Sequence, residues 1–209
     1  MVSLLGWPRL ATEPRATLET PEVRIPRYSP ASTVAIFGAS DCRADDPAYA
    51  EAVRCGRLLA EAGLAVATGG YGGLMEAVSQ GAREAGGVVI GVTAPSVFPH
   101  REGANRFVSE ERRAGSLTER IHELMQADAA IALPGSIGTL TELMVAWNLA
   151  YVAQYGHGSP KPVVAVGGRW RGVIDQLEDE LETEAGLVLC VESVDEAVAN
   201  ILVRLRLPL

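Results

Sequence analysis

From Thr33 onward, short apolar runs alternate with longer amphipathic segments, and this alternation constrains the fold more than any other feature of the sequence. The segments between the runs extend over about 12–16 residues and carry apolar side chains at helical spacing. Continuous apolar runs of this length are typical of strands that are buried on both faces. The sequence therefore predicts an α/β fold, a doubly wound, Rossmann-like parallel sheet of about six strands with helices on both faces. The predicted strands are TVAIF, LAVAT, VVIGV, DAAIAL, PVVAV and LVLCV.

The chain has 209 residues, which fits one domain with a sizeable core. We expect this domain to extend over residues 31–209. Residues 1–30 contain five prolines and no sustained hydrophobic period, so we interpret them as a Pro-rich N-terminal arm. Its apolar side chains either pack on the domain or on a second subunit, or the arm is a partly disordered tail.

The formal net charge of −8 disfavours nucleic acid and anionic membrane surfaces as partners. A small anionic ligand remains compatible with it, because backbone N–H groups and a few arginines can hold phosphate locally. Cys42, Cys55 and Cys190 are far apart and form no CxxC pair, so we expect free thiols, no metal site and a cytoplasmic location. No apolar run reaches the roughly 18 residues of a membrane span, and the apolar stretch at the start is too short for a secretory signal.

Three of the predicted strands run into glycine-rich turns: GASD from Gly38, GGYGG from Gly69, and PGSIGT from Pro134. Ligands of open parallel sheets bind beyond the carboxyl ends of the strands, where helix starts offer free N–H groups and a positive dipole end. Any one turn alone is explained by tight local geometry, but three at one edge predict a phosphate site. The candidate phosphate- or nucleotide-binding residues are Gly38, Ala39, Ser40, Gly70, Gly72, Gly73, Gly135, Ser136, Gly138 and Thr139.

Two common nucleotide motifs are absent. The dinucleotide pattern GxGxxG fails after the second strand, where Met75 stands in place of the third glycine. The pattern GxxxxGK[ST] of P-loop nucleotide hydrolases does not occur either. NAD binding and ATP or GTP hydrolysis of the P-loop type are therefore disfavoured.

The turn PGSIGTLTE resembles the PGGxGTxxE motif of the LOG family, the cytokinin-activating nucleoside 5′-monophosphate phosphoribohydrolases that are often labelled "lysine decarboxylase-like". GGYGGLMEAVSQGAREAGGVVIGV is similar to the GGGxxGLMGAVADAA…GGxVIGV segment of that family, and FGASDCRADDPAYAEAVRCGRLLAEAGL is similar to its opening strand and helix. The resemblance covers roughly residues 33–167. The chain departs from it at Ser136, where the family has its second glycine. The Arg-Lys pair of the family is matched by Arg120 with one residue deleted, and Ile121 follows it.

The resemblance implies hydrolysis of the N-glycosidic bond of a nucleoside 5′-monophosphate, with Glu142 and Arg120 as the catalytic pair. It also implies a homodimer and no cofactor. The alternative within the same superfamily is a non-catalytic nucleotide-binding or molybdenum-cofactor carrier protein. On its own, Glu142 is better explained as an acid that complements a helix dipole near the helix start, and the adjacent phosphate-type turn is what favours the functional interpretation. Genuine lysine decarboxylation is disfavoured, because that reaction usually needs pyridoxal phosphate on a lysine and Lys161, the only lysine, lies at the opposite end of a predicted strand.

Two further segments leave alternatives open. Residues 93–115 form a predicted polar loop rich in Arg and Glu, which is either a lid over the base or a solvated loop. The segment after the PGSIGT turn is apolar all round, so it packs either in the core or against a second subunit, and the same holds for Trp147 within it.

Overall fold

The computed structural model describes residues 32–101, 103–156, 159–181 and 183–205. The predicted arm of residues 1–30 lies outside the described residues. Strands and helices alternate along the chain: β1 (Thr33–Phe37), α1 (Pro47–Glu61), β2 (Ala65–Thr68), α2 (Leu74–Glu84), β3 (Val89–Thr93), β4 (Glu110–Arg113), α3 (Leu117–Leu124), β5 (Ala129–Ala132), α4 (Ile137–Ala153), β6 (Val163–Val166), α5 (Gly168–Leu181), a 3₁₀ turn (Ala185–Leu187), β7 (Val188–Val191) and α6 (Val194–Arg204).

The strands form a single sheet in the order β4-β3-β2-β1-β5-β6-β7, and every neighbouring pair is parallel. Strands β2, β3 and β4 follow one another on one side of β1, and β5 then pairs with the other side of β1. The order therefore reverses between β1 and β5, which is the place where doubly wound sheets bind their ligands. The predicted α/β class and parallel sheet are confirmed.

The predicted strand count of six is wrong, because the described sheet has seven strands. The additional strand, β4, lies inside the predicted polar loop of residues 93–115 and pairs in parallel with β3. All four of its residues are exposed and charged, and Glu110 pairs with Arg112 on its surface. An edge strand without apolar side chains gives no hydrophobic signal, and charges at an edge also discourage pairing with other chains.

Helices cover both faces of the sheet. Successive residues of β1 point to opposite sides: Val34 and Ile36 pack with α1, α2 and α6, whereas Ala35 and Phe37 pack with α3, α4 and α5. Trp147 is buried in the second of these layers and donates to the carbonyl of Glu184 at 2.9 Å. It belongs to the core, which is one of the two roles predicted for it.

The helices differ in how they begin. Side chains of Asp46, Ser116 and Ser193 accept hydrogen bonds from the first turns of α1, α3 and α6. Such a cap is worth about 1 kcal/mol. No side chain caps α2 or α4, which follow the GGYGG and PGSIGT turns. The first N–H of α2, at Leu74, donates to the carbonyl of Ala39, whereas the first N–H groups of α4 remain available at the carboxyl edge of the sheet.

Candidate functional site

The three glycine-rich turns meet at the switch point of the sheet. Ala39, after β1, donates its N–H to the carbonyl of Pro134 at 3.1 Å and accepts from the N–H of Leu74 at 2.8 Å. Ala39, Leu74, Gly135 and Ser136 line one cleft of about 720 Å³. The convergence predicted from the topology is therefore present in the structure.

The glycines of these turns have two different roles. Gly73 has a φ of +69°, and a Cβ there would overlap the backbone of Ala39 and Ser40. A Cβ at Gly38 would lie 2.9 Å from Leu74 Cβ, and one at Gly135 would overlap Thr139. These positions hold the turns together, as does Gly70 with its φ of +76°. Gly138, in contrast, borders open space, and a Cβ at Gly72 would lie no closer than 3.9 Å to another atom, so the space at both positions is open to a ligand.

The start of α4 is open to the cleft. Ser136 stands at the N-cap position, is exposed, and makes no capping hydrogen bond with its side chain. Ile137 and Gly138 are also exposed. Thr139, by contrast, is only 3% exposed and packs against Gly135, so it supports the turn from below. The backbone of this turn presents N–H groups and the positive end of the α4 dipole to whatever occupies the cleft.

Arg120 and Glu142 form a buried ion pair. Arg120 lies on α3 and Glu142 lies in the second turn of α4. As whole residues, Arg120 is 6% and Glu142 is 9% exposed to solvent. Arg120 Nη1 donates to Glu142 Oε1 at 3.1 Å. The single-residue deletion in the sequence therefore does not prevent Arg120 from reaching the carboxylate that follows the phosphate-type turn.

The guanidinium of Arg120 is fixed by groups from three other elements. Its Nε donates to the carbonyl of Val92 at 2.8 Å, at the end of β3. The rings of Tyr71 and Phe98 lie 5.7 and 5.8 Å from its Cζ. A Cβ at Gly69 would overlap Arg120 Nη2, so the first glycine of the β2 turn makes room for this side chain. Gly69, Tyr71 and Phe98 were not among the predicted site residues.

The Glu142 carboxyl is held at one oxygen and open at the other. Burial raises its pKa above the usual range, and the charge of Arg120 and its hydrogen bond oppose that rise. Among the described residues, only Arg120 donates to this carboxyl, and it donates to Oε1. No fully buried side-chain nitrogen or oxygen in the described part of the chain lacks a partner, so Oε2, which has none, is not sealed from solvent. This is the arrangement that a carboxylate needs to act on a bound ligand.

The described residues between β3 and β4, 94–101 and 103–109, which we call the strap, cross over the β2 turn. The N–H of Ala94 donates to the Tyr71 hydroxyl at 2.8 Å. Asn105 Nδ2 donates to the carbonyls of Gly70 and Tyr71 at 3.2 and 2.9 Å. Phe98 packs edge-on against Tyr71. Of the two interpretations of this segment, a lid or a solvated loop, the anchored contacts favour a cover over the site.

The groups that metal or lysine chemistry would need do not come together at this edge in the described part of the chain. Within the described residues, no group of three or more His, Cys, Asp or Glu side chains is arranged to hold a metal ion. Lys161 donates to the carbonyls of Met125 and Ala127, at the opposite edge of the sheet. No helix in the part of the chain that the structure describes has the length and apolar character to cross a membrane.

The fold defines a Rossmann-like class of α/β proteins. The sequence model of the SLOG cluster4 family matches residues 31–198, and the chain belongs to this LOG-type family. It is 34% identical over 161 residues to the cytokinin riboside 5′-monophosphate phosphoribohydrolase of Mycobacterium tuberculosis, covering 72% of this chain and 80% of that protein.

Two further comparisons support the family and the fold. A probable cytokinin riboside 5′-monophosphate phosphoribohydrolase of Oryza sativa subsp. japonica is 33% identical over 159 residues, which cover 73% of this chain and 66% of the rice protein. Among solved structures, the molybdenum cofactor binding protein of Rippkaea orientalis superposes with a TM-score of 0.67 at 23% identity, over 84% of this chain and 98% of that one. At that identity the likeness shows the fold alone.

Proposed function

We propose that the protein is a phosphoribohydrolase, which cleaves the N-glycosidic bond of a cytokinin- or AMP-like nucleoside 5′-monophosphate to free base and ribose 5-phosphate. The observation that carries the proposal is the buried Arg120–Glu142 pair, with one carboxylate oxygen that reaches solvent, about one turn beyond an uncapped helix start. The names of the mycobacterial and rice relatives support the same reaction.

The start of α4 holds the phosphate of the substrate in this proposal. The N–H groups that follow Ser136 donate to the phosphate oxygens, and the helix dipole favours the negative charge. Ala39, Ser40, Gly72 and Gly73 contribute from the turns after β1 and β2. Glu142 then lies beside the ribose, because it is on the same helix and about one turn further from the phosphate.

Glu142 acts on the sugar carbon that carries the base. As the C1′–N bond breaks, the base leaves with the bonding electrons and positive charge develops on the ribose. The open oxygen of the Glu142 carboxylate stabilises this charge and accepts a proton from the water that attacks C1′. The departing base gains a proton in turn, so the hydroxyl of the water ends on C1′ of the ribose and a proton ends on the base. Arg120 positions Glu142 and favours its ionised form.

The outer part of the cleft favours one phosphate over several. Asp41, Asp45 and Asp46 line the cleft together with Gly135 and Ser136. The cleft also contains Arg43, which pairs with Asp45, and Arg169, so its acidic side chains outnumber its basic ones by one. A single phosphate at the start of α4 stays close to the helix N–H groups, whereas a second or third phosphate would approach these carboxylates. We therefore expect AMP to bind more tightly than ATP.

A carrier function is the second candidate, because the fold is shared with a molybdenum cofactor binding protein and Ser136 departs from the hydrolase motif. Binding without turnover is what this candidate predicts. The open oxygen of Glu142 has no role in it.

The test is incubation of the purified protein with a panel of nucleoside monophosphates, the matching nucleosides and the matching triphosphates, with chromatographic detection of free base. We expect base release from at least one purine monophosphate and little from its nucleoside or triphosphate. Tight nucleotide binding with no base released from any member of the panel would leave the carrier function instead.

We further propose a homodimer in the cytoplasm. Leu149 and Val152 are exposed on the second half of α4, and Tyr155 is exposed just after the helix ends. Together they offer an apolar surface that a second copy would cover. The three cysteines are free thiols, as expected in a reducing compartment. Light scattering of the wild type should give the mass of two chains, and Val152→Glu should give the mass of one. A wild-type monomer would contradict the dimer.

A further inference from the structure

Arg101 is a positively charged residue beside the site, and the proposed reaction assigns it no role. It lies on the strap, is half-buried, and forms no ion pair with any carboxylate in the described part of the chain. Arg120, by comparison, has its charge matched by Glu142. A positioned guanidinium without an acidic partner is suited to an anion that comes from outside the protein.

The guanidinium of Arg101 is held in place before any ligand binds. Its Cζ lies 4.8 Å from the ring centre of Tyr71 and 4.7 Å from that of Phe98. Its Nη2 donates to Ser40 Oγ at 3.2 Å. The strap itself is anchored on both sides of Arg101, at Ala94 and at Asn105. Little side-chain freedom therefore remains to be lost when an anion binds.

Ser40 connects Arg101 to the phosphate turn. It follows Ala39, whose backbone is hydrogen-bonded both to Pro134 and to the start of α2. Arg101, Ser40 and Gly72 line a cleft of about 340 Å³. The hydroxyl of Ser40 is a neutral acceptor, so an anionic oxygen in this cleft is a stronger partner for the guanidinium.

We propose that Arg101 is a phosphate-binding residue, and that it binds the phosphate of the ligand by exchanging its bond to Ser40 for one to a phosphate oxygen. The inference rests on the phosphate site of the proposed function, but it does not require hydrolysis. It assigns the strap a specific role, which is to distinguish phosphorylated ligands from the corresponding nucleosides.

The test is the affinity of the full chain for ribose 5-phosphate, AMP and adenosine, measured by titration calorimetry for the wild type, Arg101→Ala and Arg101→Gln. Both substitutions should raise the dissociation constants for ribose 5-phosphate and AMP by about 10- to 100-fold, the range of a charged hydrogen bond. The dissociation constant for adenosine should stay within about twofold, since adenosine has no phosphate.

Arg106→Ala is the matched control. Arg106 is on the same strap and lies 4.7 Å over the ring of Phe107, but it lines a different cleft, beside α1. Its replacement should leave all three affinities unchanged. Thermal unfolding of each variant shows whether the fold is retained, and Arg101→Gln keeps most of the side chain if the alanine variant is unstable.

The outcomes separate this inference from the proposed function. Unchanged phosphate affinity in both Arg101 variants, or an equal loss for AMP and adenosine, would overturn the inference even if the wild type releases base. A selective loss of phosphate affinity would support it even if no base is released.

Discussion

Two consecutive parts of α4 are built in opposite ways. The start of the helix, from Ser136 to Gly138, is exposed and has no capping side chain. One turn further, Glu142 is buried and its charge is matched by Arg120. The first part satisfies its N–H groups only by taking a ligand or water, whereas the second is complete within the protein. In the proposed function, the first part holds the phosphate and the second acts on the sugar, so each part has its own experimental signature.

The largest expected effect is on turnover in Glu142→Gln. Glutamine has the shape of glutamate and retains an oxygen that can accept the hydrogen bond from Arg120. Its neutral amide cannot accept a proton from water or stabilise positive charge on the ribose. We expect the rate of base release to fall by about 10²- to 10⁴-fold. The dissociation constant for ribose 5-phosphate should change by less than about threefold, because the phosphate is held at the helix start. Glu51→Gln, an exposed position on α1, is the control. Equal losses of binding and turnover would remove the distinction between the two parts.

The next effect is on stability in Arg120→Met. Removing one partner of a buried pair costs about 3–5 kcal/mol, because the remaining charge is left without compensation. Here the remaining group is a carboxyl whose pKa burial already raises. In the variant its folded pKa lies further above the unfolded value, so the folded state binds an additional proton and stability falls as pH rises. Urea unfolding should therefore show a large loss at pH 7 and a smaller loss near pH 5. A loss of stability that does not change with pH would contradict the inference that Arg120→Met raises the pKa of Glu142 further.

A smaller effect is expected at Gly138, where a Cβ would meet no protein atom within 4 Å. Gly138→Ala should not destabilise the protein, since alanine favours a helix over glycine by up to about 1 kcal/mol. It should weaken ribose 5-phosphate binding several-fold if the phosphate occupies this space. Gly135→Ala is the matched comparison, because its Cβ would overlap Thr139 and lower stability as well. Unchanged affinity in Gly138→Ala would place the phosphate elsewhere.

The smallest effect is expected for Ser136→Gly, which restores the glycine found in the LOG motif. The Ser136 side chain is exposed and makes no capping bond, so the backbone of the turn carries its function. Turnover and affinity should remain within about twofold, because glycine and serine serve similarly at an N-cap position. A large gain in turnover would show that Ser136 itself restrains the chemistry.

The main architecture could be predicted from the sequence because it follows from hydrophobic pattern and topology. Buried parallel strands give continuous apolar runs, and the switch-point rule places the turns after β1, β2 and β5 at one edge. The position of Glu142 on the helix that follows the PGSIGT turn could be predicted, because its motif is local to one turn and one helix. The strand β4 could not be predicted, since its four residues are charged and a polar edge strand looks like a loop.

The environment of Arg120 could not be predicted either. The contacts come from Gly69, Val92 and Phe98, which are separated along the chain and meet only when the strap crosses the sheet edge. The sequence shows a doublet of glycines and a long polar segment there, and neither pattern indicates a guanidinium. Only the tertiary structure shows that the deletion before β5 still brings Arg120 to Glu142.

The central claim is that the site breaks the bond between base and ribose. The most direct measurement is turnover of AMP in water enriched in ¹⁸O, with mass spectrometry of the products. Attack of water at C1′ predicts free adenine and ribose 5-phosphate that carries one ¹⁸O on its anomeric carbon, after correction for exchange measured with unlabelled ribose 5-phosphate. Release of labelled inorganic phosphate with adenosine would instead show cleavage at the phosphate, and intact AMP would show a protein that binds without catalysis.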